Sequence, residues 1–353
     1  MTTTNDNPCF LLRVNCMTYN QSAYIADALN GFVMQQTSFP FVCIIVDDAS
    51  TDGEQEVVKK YMQEHFDLQD SSVAYERDTD YGHVTFAQHK TNKNCYFAVV
   101  YLYENHHSQK KSKAPYLTEW MDTKYIALCE GDDYWTDPLK LQKQVSFLEE
   151  HPEYSLCCHR FKVYHENTDT WTDDYVKDAF AAKPNVTGLD VTNSENFKTR
   201  FTWTLTLCYR KSIADEIKWP PYKYGMRDFN FHYHLLKAGK GWCFADYMGV
   251  YRMNSGGVWA RKTRLEMDRF RLNGYEDFYS YHKDDNDVFV RYNEWLDRFY
   301  QDYVLSPCSR HKLTKNGIKS LFFALRHYWK LDGMHKALTK YTQCVKLFIG
   351  MKK

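Results

Sequence analysis

What this chain lacks narrows it first. It has no net charge, since 45 basic residues face 45 acidic ones among 353. No excess of one sign is present to draw the whole chain onto nucleic acid. It has no apolar run long enough to span a bilayer. The longest, Cys95 to Tyr103, falls far short of the roughly 20 residues required. The opening segment, MTTTNDNPCF, has no basic stretch followed by a long apolar one, so no signal peptide is expected. Eleven cysteines are present but no CxxC pair, and only Cys157 and Cys158 are adjacent. That scatter argues for reduced thiols in a cytoplasmic protein, several of them (Cys16, Cys43, Cys129) acting as small core residues. Internal repeats and low-complexity segments are absent. A G-x-x-x-x-G-K-[ST] loop is absent too, which argues against a P-loop phosphotransferase.

What is present is an alternation of strand-like and helix-like segments, in a length that suits two domains or one domain with an extension. Phe10 to Cys16 reads as a strand and Ser22 to about Gln36 as a helix, with Ile25, Ala28, Leu29, Phe32 and Val33 on one face. Phe41 to Val46 is continuously apolar, as in a strand buried on both faces. A helix from Glu54 to His65 and a strand from Val73 to Glu76 follow. The segment after Asp80-Tyr81-Gly82-His83, through His107, is expected to be helical in parts, and Lys110 to Pro115 to be an exposed loop. Tyr125 to Cys129 is the next strand. Asp137 then suits an N-cap and Pro138 the first position of a helix running to about Glu150. This order predicts an α/β fold with a mostly parallel central sheet and right-handed crossovers. Further on, Ser155 to Tyr164, Thr202 to Tyr209 and Asp246 to Tyr251 read as strands, Trp171 to Asn196 as loop, and Phe229 to Ala238 as a helix. From Trp259 the chain is mainly helical, with Val288, Tyr292, Trp295, Leu296, Phe299 and Tyr303 on one face.

The stretch YIALCEGDDYWTDPL, Tyr125 to Leu139, stands out. Three acids, Glu130, Asp132 and Asp133, follow a strand and precede a helix. Open α/β sheets bind ligands at that edge. Clustered carboxylates repel one another, and a hard divalent cation resolves the conflict; Mg²⁺ typically uses one or two carboxylates plus substrate phosphates. A solvated acidic turn capping a helix is the alternative. Two other strand ends carry Thr18-Tyr19-Asn20 and Asp47-Asp48. In a parallel sheet all three ends share one edge, and a nucleoside diphosphate would meet base and ribose contacts at the first two and a cation at the third.

CMTYNQSAYIADALNGFVMQ, IIVDDASTDG and YIALCEGDDYWTDPLKLQKQV together resemble the signature blocks of family-2 glycosyltransferases with the Rossmann-like GT-A fold. A fourth block, MGVYRMNSGGVW, is similar to the end of the catalytic domain in bacterial members that build surface polysaccharides. The resemblance implies a catalytic domain over 1–258, with a nucleotide-sugar half of about 8–150 and an acceptor half of about 151–258, then a helical extension over 259–353. It implies that Thr18, Tyr19, Asn20, Asp47, Asp48, Gly82 and Asp132 contact the nucleotide. It further implies that Asp132 and Asp133 bind a divalent cation, Mg²⁺ or Mn²⁺, and that Asp228 is the base of an inverting transfer. Asp228 also suits a helix N-cap. Glu130 stands where many members carry the first acid of Asp-x-Asp, and Asn254 where relatives carry a His; Arg252 is placed to compensate for the missing cationic side chain.

The implied partners are a nucleotide-sugar donor, most simply UDP-linked, and a glycan or lipid-linked glycan acceptor, with no nucleic acid. From Gln301 to Lys353 eleven Lys or Arg face two acids. Such a basic end suits peripheral contact with the inner face of the cytoplasmic membrane, and equally a solvated helical face. A nucleotidyltransferase on a similar scaffold, or a non-catalytic binding module of the same fold, are the rival readings. Among other candidates, Trp135 could line the donor pocket, Trp203 and Trp242 read as core, His106-His107 as solvated surface, and His232 with His234 as an HxH pair that a helix would split between faces.

Overall fold

The computed structural model describes residues 9–112, 120, 122–224, 227–256, 262–309 and 314–349. Gly225, Met226, Gly257 and the end of the Lys110 to Pro115 loop lie outside the described residues. The chain divides into two compact units, Met1–Ile217 with Phe231–Asn254, and Lys218–Asn230 with Ser255–Lys353.

In the first unit the elements run β1 (Leu12–Thr18), α1 (Ile25–Val33), β2 (Phe41–Asp47), α2 (Glu54–His65), β3 (Ala74–Asp78), β4 (Gly82–Gln88), β5 (Cys95–Leu102), β6 (Tyr125–Leu128), β7 (Tyr134–Trp135), α3 (Lys140–Glu150), β8 (Tyr154–His165), β9 (Thr170–Asp173), α4 (Lys177–Ala181), β10 (Gly188–Val191), α5 (Asn193–Lys198), β11 (Cys208–Arg210) and α6 (Lys211–Glu216). The helix α7 (Arg227–Ala238) straddles the division, and β12 (Lys240–Met253) completes the sheet. The strand order is β10-β12-β8-β11-β6-β1-β2-β5-β4-β3. Its centre, β6-β1-β2-β5, is parallel. Antiparallel pairs flank that centre, through β4 and β3 on one side and β11 on the other. Beyond β11, β8 and β12 pair parallel again.

The apolar pattern explains the parallel centre. β2 and β5 are buried at every position, which requires cover on both faces. Ile25, Ala28, Leu29 and Phe32 of α1 supply part of it, as do Val58, Tyr61 and Met62 of α2 and Leu141, Val145 and Leu148 of α3. Each fully buried side chain of this kind contributes about 1.5–3 kcal/mol.

Four local expectations fail. The segment expected to be helical in parts is the pair β4 and β5, because CYFAVVYL is a strand covered on both sides. The stretch expected to be loop between Trp171 and Asn196 holds β9, α4, β10 and part of α5. Thr202 to Tyr209 is not one strand. Asn196 Oδ1 accepts the amides of Phe201 (2.9 Å) and Thr202 (3.1 Å) and bends the chain before a 3₁₀ turn. The helix after the acids starts at Lys140, not Pro138. Asp137 Oδ1 accepts the Leu139 amide at 2.8 Å, while the carbonyls of Asp137 and Pro138 accept from Gln35 Nε2 (2.9 Å) and the Gln36 amide (2.8 Å). Those bonds hold the segment against the end of α1.

The second unit contains α8 (Arg264–Tyr281), α9 (Asn286–Tyr300), α10 (Ser306–Ser309) and α11 (Lys315–Phe348). Its core gathers Tyr292, Leu296, Phe299, Tyr300, Leu321, Ala324 and Tyr328. Most of the sequence-derived face of α9 is therefore its buried face. α11 is broken at Gly333, whose φ of 83° is a left-handed conformation that glycine adopts cheaply.

Candidate active site

The carboxyl ends of β1 and β2 are stitched together by one buried acid that the sequence reading missed. Glu54, first residue of α2, is fully buried. Its carboxylate accepts from Thr18 Oγ1, from the Gln21 amide at 2.8 Å and from Ser50 Oγ at 2.9 Å. Burial raises the Glu54 carboxyl above its ordinary range, and those three hydrogen bonds pull the other way. No apolar pattern marks Glu54, so only the packing reveals it. Asn20 and Ala49 both adopt positive φ, 54° and 60°. Asn20 Oδ1 accepts the Thr51 amide at 2.7 Å, and the Asn20 amide donates to Ser50 Oγ at 2.9 Å. The side chain of Tyr19 is left exposed at 45%.

The first acidic pair is tightly bound. Asp48 Oδ1 accepts the amide of His106 at 2.8 Å and Oδ2 that of His107 at 3.0 Å. The chain after β5 is thereby tied over the end of β2. His106 is consequently buried rather than a solvated surface residue. Asp47 Oδ1 accepts the Ser50 amide at 3.0 Å and Gln55 Nε2 at 2.7 Å, while Asp47 Oδ2 is buried with no hydrogen-bond partner. Gly82 pairs with Leu102 at the carboxyl end of β5, and a Cβ there would collide with the Tyr101 carbonyl. Thr18, Asp47, Asp48 and Gly82 thus share one sheet edge.

At the end of β6, the second acidic pair draws more of its hydrogen bonds from side chains. Asp133 is buried and its Oδ1 accepts the Arg252 amide at 2.8 Å. Burial, then the charges of Asp132 and Glu130, hold its carboxyl well above the ordinary range. Asp132 is half-buried, its Oδ2 accepts Asn254 Nδ2 at 3.0 Å, and burial raises its carboxyl too. Gly131 brings this turn against β1, since a Cβ would lie 2.5 Å from Thr18 Oγ1 and 2.6 Å from Gln21 Oε1. Asn254 is therefore a partner of Asp132. The Arg252 charge acts on both acids, pulling the Asp132 and Asp133 carboxyls down against burial. The Arg252 guanidinium lies over Tyr24 (4.7 Å) and Tyr134 (5.1 Å) and donates to Asp27 Oδ2 at 2.6 Å. One further donation, from Nη1 to the Asp132 carbonyl at 3.2 Å, steadies the turn.

Trp135 does not line the site. It is buried in the core, donates Nε1 to the Leu205 carbonyl at 2.9 Å and has the Lys140 ammonium 3.9 Å over its ring. Trp242 stacks on Phe147 at 5.4 Å, as a core residue would. Asp228 lies exposed in the first turn of α7, inside the helix rather than at its N-cap, and belongs to the second unit.

Among the described residues no group of three or more His, Cys, Asp or Glu side chains is placed to hold a metal ion. A cation that completes its shell with phosphate oxygens needs no such cage. Asp132 fits it as a hard, half-exposed oxygen ligand, with Asp133 behind it as a second negative charge.

Residues 16–84 match the profile of Glycosyl transferase family 2. The chain carries a domain of that family. The profile spans the edge built by Thr18, Asp47 and Gly82. An uncharacterised Mycobacterium tuberculosis protein is 31% identical over 252 residues, covering 69% of this chain. This chain spans 59% of the length of that relative. A Bacillus subtilis protein, TuaG, whose name assigns it to teichuronic acid biosynthesis as a glycosyltransferase, is 26% identical over 261 residues, covering 72% of this chain and 85% of its own. S. aureus TarS 1–349, in a complex with UDP-GlcNAc, superposes with a TM-score of 0.54 at 17% identity, covering 96% of this chain and 90% of that one. The family-2 domain therefore has the GT-A-like fold.

Proposed function

We propose that this chain transfers a sugar from a nucleoside diphosphate sugar, UDP-linked, to a hydroxyl of a glycan or lipid-linked glycan, with inversion, in polysaccharide biosynthesis. The observation that carries the reading is the Asp132–Asp133 turn: two crowded carboxyls above their ordinary range, at the carboxyl edge of parallel strands, beside Thr18 and Gln21. The family of the domain, the UDP-GlcNAc held by TarS and the name of TuaG support it.

In this reading Thr18, Tyr19, Asn20, Asp47, Asp48 and Gly82 form the nucleotide side. Tyr19 offers an exposed ring, and the unpartnered Asp47 Oδ2 offers an acceptor for a base or ribose donor. Asp132 and Asp133 hold Mg²⁺ or Mn²⁺, which when bound neutralises the leaving diphosphate. Asn254 keeps the Asp132 carboxylate in place. Asp228 takes the proton of the acceptor hydroxyl. No helix among the described residues is long and apolar enough to cross a membrane. We place the protein in the cytoplasm, in peripheral contact with the inner membrane face through α11. That helix carries exposed Phe322, Trp329, Leu338 and Phe348 alongside the basic residues of the end of the chain.

Calorimetric titration with UDP-glucose, UDP-galactose, UDP-GlcNAc and GDP-mannose, with MnCl₂ and then with EDTA, tests the donor reading. Saturable, cation-dependent binding of at least one is expected, and binding of none refutes it. Asp228→Asn should abolish turnover and leave donor affinity within about twofold. Full activity in that variant removes the base assignment. Release of pyrophosphate from UTP and a sugar phosphate would instead favour a nucleotidyltransferase. Failure to pellet with anionic vesicles at low salt would remove the membrane contact.

A further inference from the structure

Tyr175 is 54% exposed, yet its backbone is fixed on both sides. Before it, Asp174 is buried and accepts Arg160 Nε (3.1 Å) and Nη2 (3.2 Å) together with the Phe161 amide (3.1 Å). After it, Val176 is buried and its amide donates to Asp174 Oδ1 at 3.2 Å. The Tyr175 ring lies parallel to Trp203, with centroids 5.1 Å apart and planes 8° apart. Trp203 is itself held, donating Nε1 to the Arg200 carbonyl at 3.1 Å and packing on Tyr251 at 5.2 Å, with the Arg200 guanidinium 3.9 Å from its ring. A ring with one face on Trp203 offers the other to solvent, and the order that stacking demands has already been imposed. Such preorganisation is what a binding platform needs.

Its position is equally informative. Tyr251 packs on Trp203 and immediately precedes Arg252, whose amide donates to Asp133 at 2.8 Å. The charges of Asp133 and Asp132 add to burial in raising the Tyr251 phenol, and the Tyr175 phenol acts on it as well. The platform is thus one packed residue away from the acidic turn. A pyranose presents axial C–H groups on one flat face, which suit the electron-rich face of an aromatic ring, and hydroxyls around its rim, which suit Arg200 and the phenols.

We infer that Tyr175, backed by Trp203, is the platform on which a pyranose ring of the acceptor stacks beside the transfer site. This rests on the glycosyltransferase reading and names a binding surface for its acceptor class. Tyr175 is a binding residue here, with no part in proton transfer.

The test uses the full chain saturated with UDP and MnCl₂ and titrated with the methyl glycosides of glucose, galactose, mannose and N-acetylglucosamine. Saturation-transfer NMR reads the sugar C–H protons, and calorimetry reads UDP. At least one glycoside should receive saturation on its ring C–H protons. Tyr175→Phe should keep that signal, Tyr175→Ala should weaken glycoside affinity about tenfold, and both should keep the melting temperature and UDP affinity of the parent. If UDP binds but no glycoside does, the platform assignment is wrong while the donor reading stands. Unchanged glycoside binding in Tyr175→Ala also overturns it. A loss of UDP affinity in that variant would overturn it too, by making the ring a base platform. If UDP does not bind the parent protein, the glycosyltransferase reading falls and takes this inference with it.

Discussion

Asp47-Asp48 and Asp132-Asp133 are the same dipeptide at the carboxyl ends of two strands that both pair with β1, and their surroundings are opposite. Asp48 satisfies two backbone amides and Asp47 one amide and one side-chain amide. Asp133 accepts the Arg252 amide, Asp132 accepts from the side chains of Asn254 and Gln21, and both carboxyls are held above their ordinary range by burial. The first pair ties down the loops at the ends of β2 and β5. In the second, burial and the neighbouring acids outweigh the hydrogen bonds and the Arg252 charge. Identical residues acquire different carboxyl properties according to their burial and the donors and charges around them.

The largest break in this comparison should come from Asp132→Asn, which is expected to weaken Mn²⁺-dependent UDP binding on the order of 100-fold. An equal loss of cation dependence from Asp48→Asn would erase the distinction.

Stability should separate the pairs next. Asp48→Ala strands two amides and should cost about 2–4 kcal/mol in urea unfolding, whereas Asp133→Ala strands one, relieves repulsion, and should cost about 1 kcal/mol or less. Comparable losses would show that both acids are scaffold.

A smaller effect is the pH dependence. Folded-state carboxyls raised above their unfolded value bind more protons in the folded chain, so their contribution to stability grows as pH falls from neutral toward that raised range. Asp133→Asn should lose this gain. Mn²⁺ with UDP relieves the same repulsion, so it should raise the melting temperature by about 2–4 °C more at pH 7.5 than at pH 5. An equal shift at both would argue against binding at these acids.

The smallest concerns Lys140, the buried cation just beyond the second pair. Burial lowers its ammonium to about 8 from an ordinary 10.5, despite its hydrogen bond to Gln144 at 2.6 Å. The unfolded chain then holds more protons between those values, so this group adds stability as pH rises from about 8 to 10.5. Lys140→Met should remove that rise relative to the parent, as read by urea midpoints across the window; parallel curves would refute it.

The placement of the candidate residues at one edge was legible because strand ends and turns carry short-range signals. Asp132, Asp133, Asp47, Asp48, Thr18 and Gly82 sit where alternating strands and helices bring parallel carboxyl ends to one edge, and the apolar runs of β2 and β6 gave that edge away. Glu54, Gln21 and the stacked Tyr175 were not legible. Each acts through partners distant in the chain, and a buried acid or exposed ring looks the same in a sequence as its ordinary counterpart. The strand β5 was missed for a related reason, since a short apolar run without alternation does not distinguish a doubly covered strand from a buried helix.

The sequence by itself determined the α/β alternation, the parallel centre, the absence of a spanning helix among the described residues, and which acids stand at the strand ends. It did so because hydrophobic period and turn chemistry are local. Only the tertiary structure decided that Asp48 is held by two backbone amides while Asp132 and Asp133 are crowded, that Arg252 lies on Asp27, Tyr24 and Tyr134, and that Asn254 serves Asp132. Hydrogen-bond supply and burial are properties of the packed neighbourhood, and they set the chemistry of a carboxylate.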